Sequence, residues 1–173
     1  MPYVALSLGT NLNDRFVLMA SMEEQVCRIL NDPIECSLLM ETEPVGMPDG
    51  TPWFLNRIVT GHSEPSAEEL LARCFEIEKQ LGRTRTGEVA SRTADIDLLL
   101  YGDAIIANTN LTVPHARILS RRYCLEGLSQ VAPSVMHPIA GKSFRELWLG
   151  MPNETRAQQV RFLPAPAGGF KGE

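Results

Sequence analysis

Residues 3–9, YVALSLG, alternate apolar and small positions and stop at a glycine, which is the period of a half-buried strand. TNLND follows as a turn. Asp14 is placed to cap a helix through about Leu30, with Phe16, Met19, Ala20, Val26, Ile29 and Leu30 on its apolar face. NDP at 31–33 ends that helix, and residues 34–42 read as a second strand. Residues 43–52 carry three prolines and two glycines and read as a loop before a third strand, WFLNRIVTGH. SAEE at 66–69 has the form of a capping box, in which Ser66 caps and Glu69 reaches back; its helix runs to about Leu81 and stops at Gly82. A polar loop over 83–92 leads into a fourth strand, which starts near Thr93 or Ala94 and ends at Tyr101.

This order, β-α-β-β-α-β, predicts an α+β fold of the ferredoxin-like type: an antiparallel sheet with helices packed on one face. After Gly102 come a short extra strand at GDAII, a loop into LTVPH, a helix from about Ser120 to Val131 and a short one near 144–149. These C-terminal additions would extend the sheet or cover it. One domain is expected over residues 1–149. The stretch 150–173, with three prolines and a GG pair, is expected to be loosely ordered.

Composition narrows the function classes. The chain has 173 residues, 44% apolar and 21% charged, ordinary for a globular protein. No apolar run approaches the roughly 20 residues of a membrane helix, and the N-terminus lacks a basic leader, so no membrane or secretion signal is read and a cytoplasmic setting is expected. Net charge is −5, which argues against a nucleic-acid partner. Against that background Arg83, Arg85, Arg92, Arg117, Arg121 and Arg122 cluster, as they would for a small polyanion. Cys27, Cys36, Cys74 and Cys124 lie far apart among apolar neighbours and are expected to be buried thiols rather than disulfides or zinc ligands.

RTADIDLLLY, residues 92–101, holds the sharpest chemical signal. Side chains two apart on a strand share a face roughly 7 Å apart. Asp95 and Asp97 would therefore point one way, with Ile96, Leu98 and Leu100 in the core. At an effective dielectric near 20 the two carboxylates repel by roughly 2 kcal/mol, which a divalent cation reverses. Oxygen-only ligands suit Mg²⁺, whose other ligands are water and substrate phosphates. The nearby arginines fit phosphoryl transfer, yet no P-loop or kinase-type glycine loop is present.

The segments ALSLGTNLNDR (5–15), ETEPVG (41–46), FLN (54–56), IEKQLGRTR (77–85), RTADIDLLLYG (92–102), LTVPH (111–115) and HPIAGKS (137–143) resemble the 6-hydroxymethyl-7,8-dihydropterin pyrophosphokinase family of folate biosynthesis, over residues 3 to about 148. The resemblance implies transfer of pyrophosphate from ATP to the pterin hydroxymethyl group, releasing AMP. Small molecules would be the partners, with no nucleic acid or membrane involved. By that resemblance Asp95 and Asp97 would hold two Mg²⁺ ions, with Arg83 and Arg92 as catalytic cations. Phe54 and Tyr123 would stack on the pterin while Thr42, Val45, Gly46 and Asn56 read its edge. Arg85, Leu98, Thr112, His115 and Arg121 would meet the nucleotide. Glu78 matches an acidic family position; its plain alternative is an exposed helix face. Where family members commonly read RWGPRT, this chain reads EVASRT, so the loop tryptophan is missing. Rival readings are a non-catalytic paralogue that binds pterin or nucleotide, and another D-x-D transferase.

Overall fold

The computed structural model describes residues 1–82 and 94–164. In chain order its elements are β1 (Tyr3–Thr10), α1 (Arg15–Ile29), β2 (Asn31–Cys36), β3 (Met40–Thr42), β4 (Phe54–His62), α2 (Ala67–Gln80), β5 (Asp95–Tyr101), β6 (Ile106–Ala107), β7 (Thr112–Val113), α3 (Arg122–Val131), α4 (Phe144–Leu149), α5 (Asn153–Arg156) and β8 (Val160–Phe162). The main sheet runs β5-β1-β4-β3-β8, with β2 also on β4, and every pairing is antiparallel. The split βαβ core expected from the hydrophobic pattern is therefore present.

The expected strand over 34–42 is two strands. The chain breaks at Ser37, whose hydroxyl accepts the N–H of Ile58 at 3.0 Å while its carbonyl accepts Arg57 Nε at 2.8 Å. A side chain replaces a backbone acceptor there, and the ladder is interrupted. Local signals fared better at the helix ends. Asp14 caps α1 by accepting from Val17 N–H, and the Ser66–Glu69 box opens α2. On α1 the core face is Met19, Met22 and Val26; Phe16 and Ala20 face solvent.

Helices cover both faces of the sheet. Met19, Met22 and Val26 of α1 and Leu70, Cys74 and Ile77 of α2 pack on Leu6, Leu8, Ile96 and Leu98. On the other face, Cys124, Leu125 and Leu128 of α3 and Phe144 of α4 pack on Ala5, Ile58, Leu99 and Leu100. Each such fully buried side chain contributes roughly 1.5–3 kcal/mol. A Cβ on Gly127 would lie 2.2 Å from Ile58 Cγ1, so α3 approaches the sheet this closely only with glycine there.

Leu100 corrects the simple alternation. Along β5 the register passes from Leu6↔Leu98 to Ala5↔Leu100, leaving Leu99 as a bulge. Ile96 and Leu98 face α1 and α2, whereas Leu99 and Leu100 belong to the α3 side. Of the stretch expected to be loose, residues 150–164 hold α5 and β8, and β8 extends the sheet along β3; residues 165–173 lie outside the described residues. Cys74 and Cys124 are buried as expected, but Cys36 is exposed, on a short strand in which only Ile34 is partly buried. No helix among the described residues is long and apolar enough to cross a membrane.

Candidate active site

One end of the sheet opens into a cavity of about 150 Å³ lined by residues 42–47, Phe54, Asn56, Asp95, Arg117, Arg121 and Tyr123. Its first wall is built by β3, the loop after it and the start of β4. Thr42 and Asn56 are buried, and Asn56 Nδ2 donates to Thr42 Oγ1 at 2.6 Å. Asn56 Oδ1 turns toward Gly9 on the neighbouring strand, where a Cβ would sit only 2.7 Å away. Gly46, with φ of 69°, supplies the left-handed turn that lets the loop pass Val45 across the mouth. Asn11 Nδ2 and Arg15 Nη1 hold the far end of the loop by donating to the carbonyls of Pro52 (3.0 Å) and Trp53 (2.9 Å).

The second wall is the short 3₁₀ turn Ile118–Ser120 and the first turn of α3, which present Arg117, Arg121 and Tyr123. Asp95 and Asp97 alternate away from Ile96 and Leu98, so they lie on the α3 side. Between them the backbone N–H of Ile96 donates to Glu78 Oε1 at 2.8 Å, and Glu78 is 1% exposed. Glu78 is thus no surface residue; it braces the strand that carries both carboxylates. His115 stands beside them, its Nε2 3.9 Å from Asp97 Oδ1. His115 Nδ1 accepts the N–H of Arg117 at 3.1 Å, which leaves the hydrogen of the neutral ring on Nε2. Burial, and then the charge of Arg117, push the imidazole pKa below its ordinary value, so the ring is a neutral donor. Burial raises the Tyr123 hydroxyl well above its usual range and the Cys124 thiol to about 12, with Asp97 adding to both and Asp95 to Tyr123, so neither ionises near neutrality.

Thr42, Val45, Gly46, Phe54, Asn56, Tyr123, Asp95 and Arg121 thus meet in one cavity, with Asp97 and His115 adjoining. Leu98 does not join them; its side chain is buried in the core under α1 and α2. Thr112 is exposed on the β6–β7 hairpin, outside the cavity lining. Arg83, Arg85 and Arg92 lie outside the described residues. Arg117 was legible only as one member of a basic cluster. Its spacing of four from Arg121, across a short turn, was the signal that both line one cavity. No carboxylate pairs with its half-buried guanidinium among the described residues.

Fold and cavity together define a ferredoxin-like α+β domain whose sheet end joins a polar, aromatic-lined slot to a carboxylate and arginine cleft. Residues 5–133 match the model of the 7,8-dihydro-6-hydroxymethylpterin-pyrophosphokinase (HPPK) family, and the chain belongs to that family. It is 35% identical to the 2-amino-4-hydroxy-6-hydroxymethyldihydropteridine pyrophosphokinase of Porphyromonas gingivalis, over 81% of this chain and 97% of that one. With the Aquifex aeolicus enzyme of the same name it shares 31% over 84% and 90% of the two chains. The folic acid synthesis protein fol1 of Pneumocystis carinii is 31% identical over 81% of this chain, which spans only 19% of that longer protein. In fold it is similar to a solved structure of Plasmodium falciparum HPPK-DHPS with pteroate, at a TM-score of 0.70 and 16% identity, covering 86% of this chain and 42% of that one.

Proposed function

We propose that the protein transfers the diphosphate group of ATP to the hydroxymethyl group of 6-hydroxymethyl-7,8-dihydropterin, within folate synthesis. The hydroxyl oxygen attacks the β-phosphorus, the bond from that phosphorus to the α,β-bridging oxygen breaks, AMP leaves, and the hydroxyl proton passes to water. The observation that carries this reading is the convergence of Phe54, Tyr123, Thr42 and Asn56 with Asp95, Arg117 and Arg121 on one cavity. Its volume is below the roughly 300–1,000 Å³ of pockets that enclose drug-sized ligands. It suits a flat two-ring heterocycle and leaves the nucleotide outside, on the Asp97–His115 side.

The acceptor would lie between Phe54 and Tyr123, each ring adding about 1 kcal/mol beyond burial. Thr42 and Asn56 would read its polar edge. Asn56 Nδ2 uses one hydrogen on Thr42, so its second hydrogen and Oδ1 would be offered to the ring edge. Arg117 and Arg121 would hold phosphate oxygens, and His115 Nε2–H would donate to another. Val45 and Gly46 would offer backbone groups at the rim.

Asp95 and Asp97 would hold Mg²⁺, as two ions by family resemblance. The donor set fits that metal: two carboxylates on one face, and among the described residues no third His, Cys, Asp or Glu that completes a protein-only cage. A site of this kind leaves positions for water and phosphate oxygens, as Mg²⁺ requires. When bound, the metal supplies charge neutralisation on the phosphates. The test is incubation of the purified protein with ATP, Mg²⁺ and the reduced pterin. AMP and pterin diphosphate are expected in equal amounts, and tight pterin binding without AMP would establish the non-catalytic reading instead.

A further inference from the structure

Beyond the part of the chain that matches the family model, two adjacent residues grip the two walls of the cavity separately. Gln158 takes the α3 wall. That helix begins at Arg121 with no side-chain cap of its own, so the N–H of Arg122 would be left without an acceptor. Gln158 Oε1 accepts it at 3.0 Å, and Gln158 Nε2 donates back to Ser120 O at 2.9 Å. One amide thus pins the kink between the 3₁₀ turn and the helix, and the ligand-facing Arg121 and Tyr123 flank that kink. Arg122 Nη1 fastens the same junction by donating to the carbonyls of Arg156 and Gln158.

Gln159 takes the other wall. Its carbonyl accepts Glu43 N–H at 3.2 Å and its N–H donates to Glu43 Oε1 at 2.9 Å. The next residue, Val160, is the register partner of Thr42. Arg161 then lies 4.4 Å over the Trp53 ring and 3.7 Å from Glu41. β3 spans only Met40–Thr42, and β8 covers the edge it would otherwise leave open.

We propose that the Gln158–Gln159 pair is a spacer that fixes the distance between the two walls and so positions the acceptor substrate. The pair touches neither reacting atoms nor the aspartates; it acts mainly on the slot proposed for the flat heterocycle, through Tyr123 and Thr42, and secondarily on the phosphates through Arg121. The inference rests on the acceptor assignment made above.

The test uses the full chain with Gln158→Ala and Gln158→Glu. The glutamate keeps the acceptor for Arg122 N–H and loses the donor to Ser120. KM for pterin and for ATP, kcat from AMP release, and backbone hydrogen exchange at 42–46 and 120–124 are measured. Loss of a helix cap in Gln158→Ala should raise the pterin KM roughly five- to tenfold, with a smaller rise, about two- to threefold, in the ATP KM through Arg121 and kcat within about twofold. Gln158→Glu should recover part of that loss, and exchange should quicken on both walls in Gln158→Ala. An unchanged pterin KM beside a lowered melting temperature would overturn the proposal, as would equal rises in both KM values. If the parent chain forms no AMP, the proposed function fails; exchange unchanged at either wall would then separately overturn the spacer.

Discussion

Gly9→Ala tests the cavity at its tightest point. The added Cβ would sit 2.7 Å from Asn56 Oδ1. An unstrained carbon–oxygen contact needs about 3.3 Å, so one partner must yield by roughly 0.6 Å. The strand backbone cannot, because Gly9 is paired with Asn56 on one side and Asp95 on the other. Asn56 must move, yet it is buried and tied to Thr42 by a 2.6 Å bond. Overpacking and a strained buried hydrogen bond each cost about 1–3 kcal/mol. Part of the loss is offset, since alanine in a strand is favoured over glycine by roughly 0.5–1 kcal/mol. A net 2 kcal/mol or so on the acceptor side corresponds to about a thirtyfold fall in kcat/KM for pterin. Affinity for an ATP analogue alone should be nearly unchanged. AMP release under varied pterin, with calorimetry for the analogue, measures both. The same substitution made in an Asn56→Ala background should cost almost nothing further, because the clashing atom is gone. A loss of the same size in that background, or no loss in the parent chain, would refute the reasoning.

Asp97→Asn should abolish AMP formation while far-UV circular dichroism stays native, since a proposed metal ligand is lost and carboxylate repulsion is relieved; near-normal turnover at ordinary Mg²⁺ would remove Asp97 from the site. Phe54→Ala should weaken calorimetric binding of a pterin analogue by roughly tenfold and leave ATP-analogue binding alone, as expected for a ring that stacks on one ligand only. Arg117→Ala should lower ATP-analogue affinity on the order of tenfold without lowering the melting temperature, because the guanidinium has no protein carboxylate to abandon among the described residues. His137 is buried, with Nδ1 accepting the N–H groups of Ile139 and Ala140, and burial depresses its pKa. Its contribution to stability is complete above about pH 6.5, the unfolded value, and is lost as pH falls through the folded one; melting curves from pH 7.5 to 5 should show a slope that shrinks in His137→Gln.

The chain's own pattern disclosed what depends on neighbours in sequence. Asp14 and Ser66–Glu69 announced helix starts because a cap and its acceptor lie three residues apart. Asp95 and Asp97 announced a shared face because strands alternate. What stayed hidden depends on residues far away in the chain. Ser37 breaks a strand by bonding to Ile58, and Glu78 is buried where the Ile96 N–H meets it. Leu98 was drawn into the proposed nucleotide site by resemblance, and the face it takes on β5 places it in the core. The order over residues 153–162 was missed because prolines and glycines speak for loops, while the partners that order this segment, Arg122 and Thr42, come from elsewhere.

The bulge at Leu99 makes β5 two strands in phase terms. Upstream of it, odd positions carry chemistry and even ones carry packing; downstream, the assignment is offset by one. The Leu99 carbonyl also accepts the His115 N–H at 2.9 Å, tying the point of offset to the histidine beside the aspartates. For anyone recombining related sequences, a crossover after Leu99 exchanges the downstream half without disturbing the carboxylates. A crossover into a parent that lacks the extra residue, placed between Asp97 and Leu99, turns Leu100 and Tyr101 to the wrong faces. The useful seam in this domain is therefore a single peptide inside a strand rather than a loop.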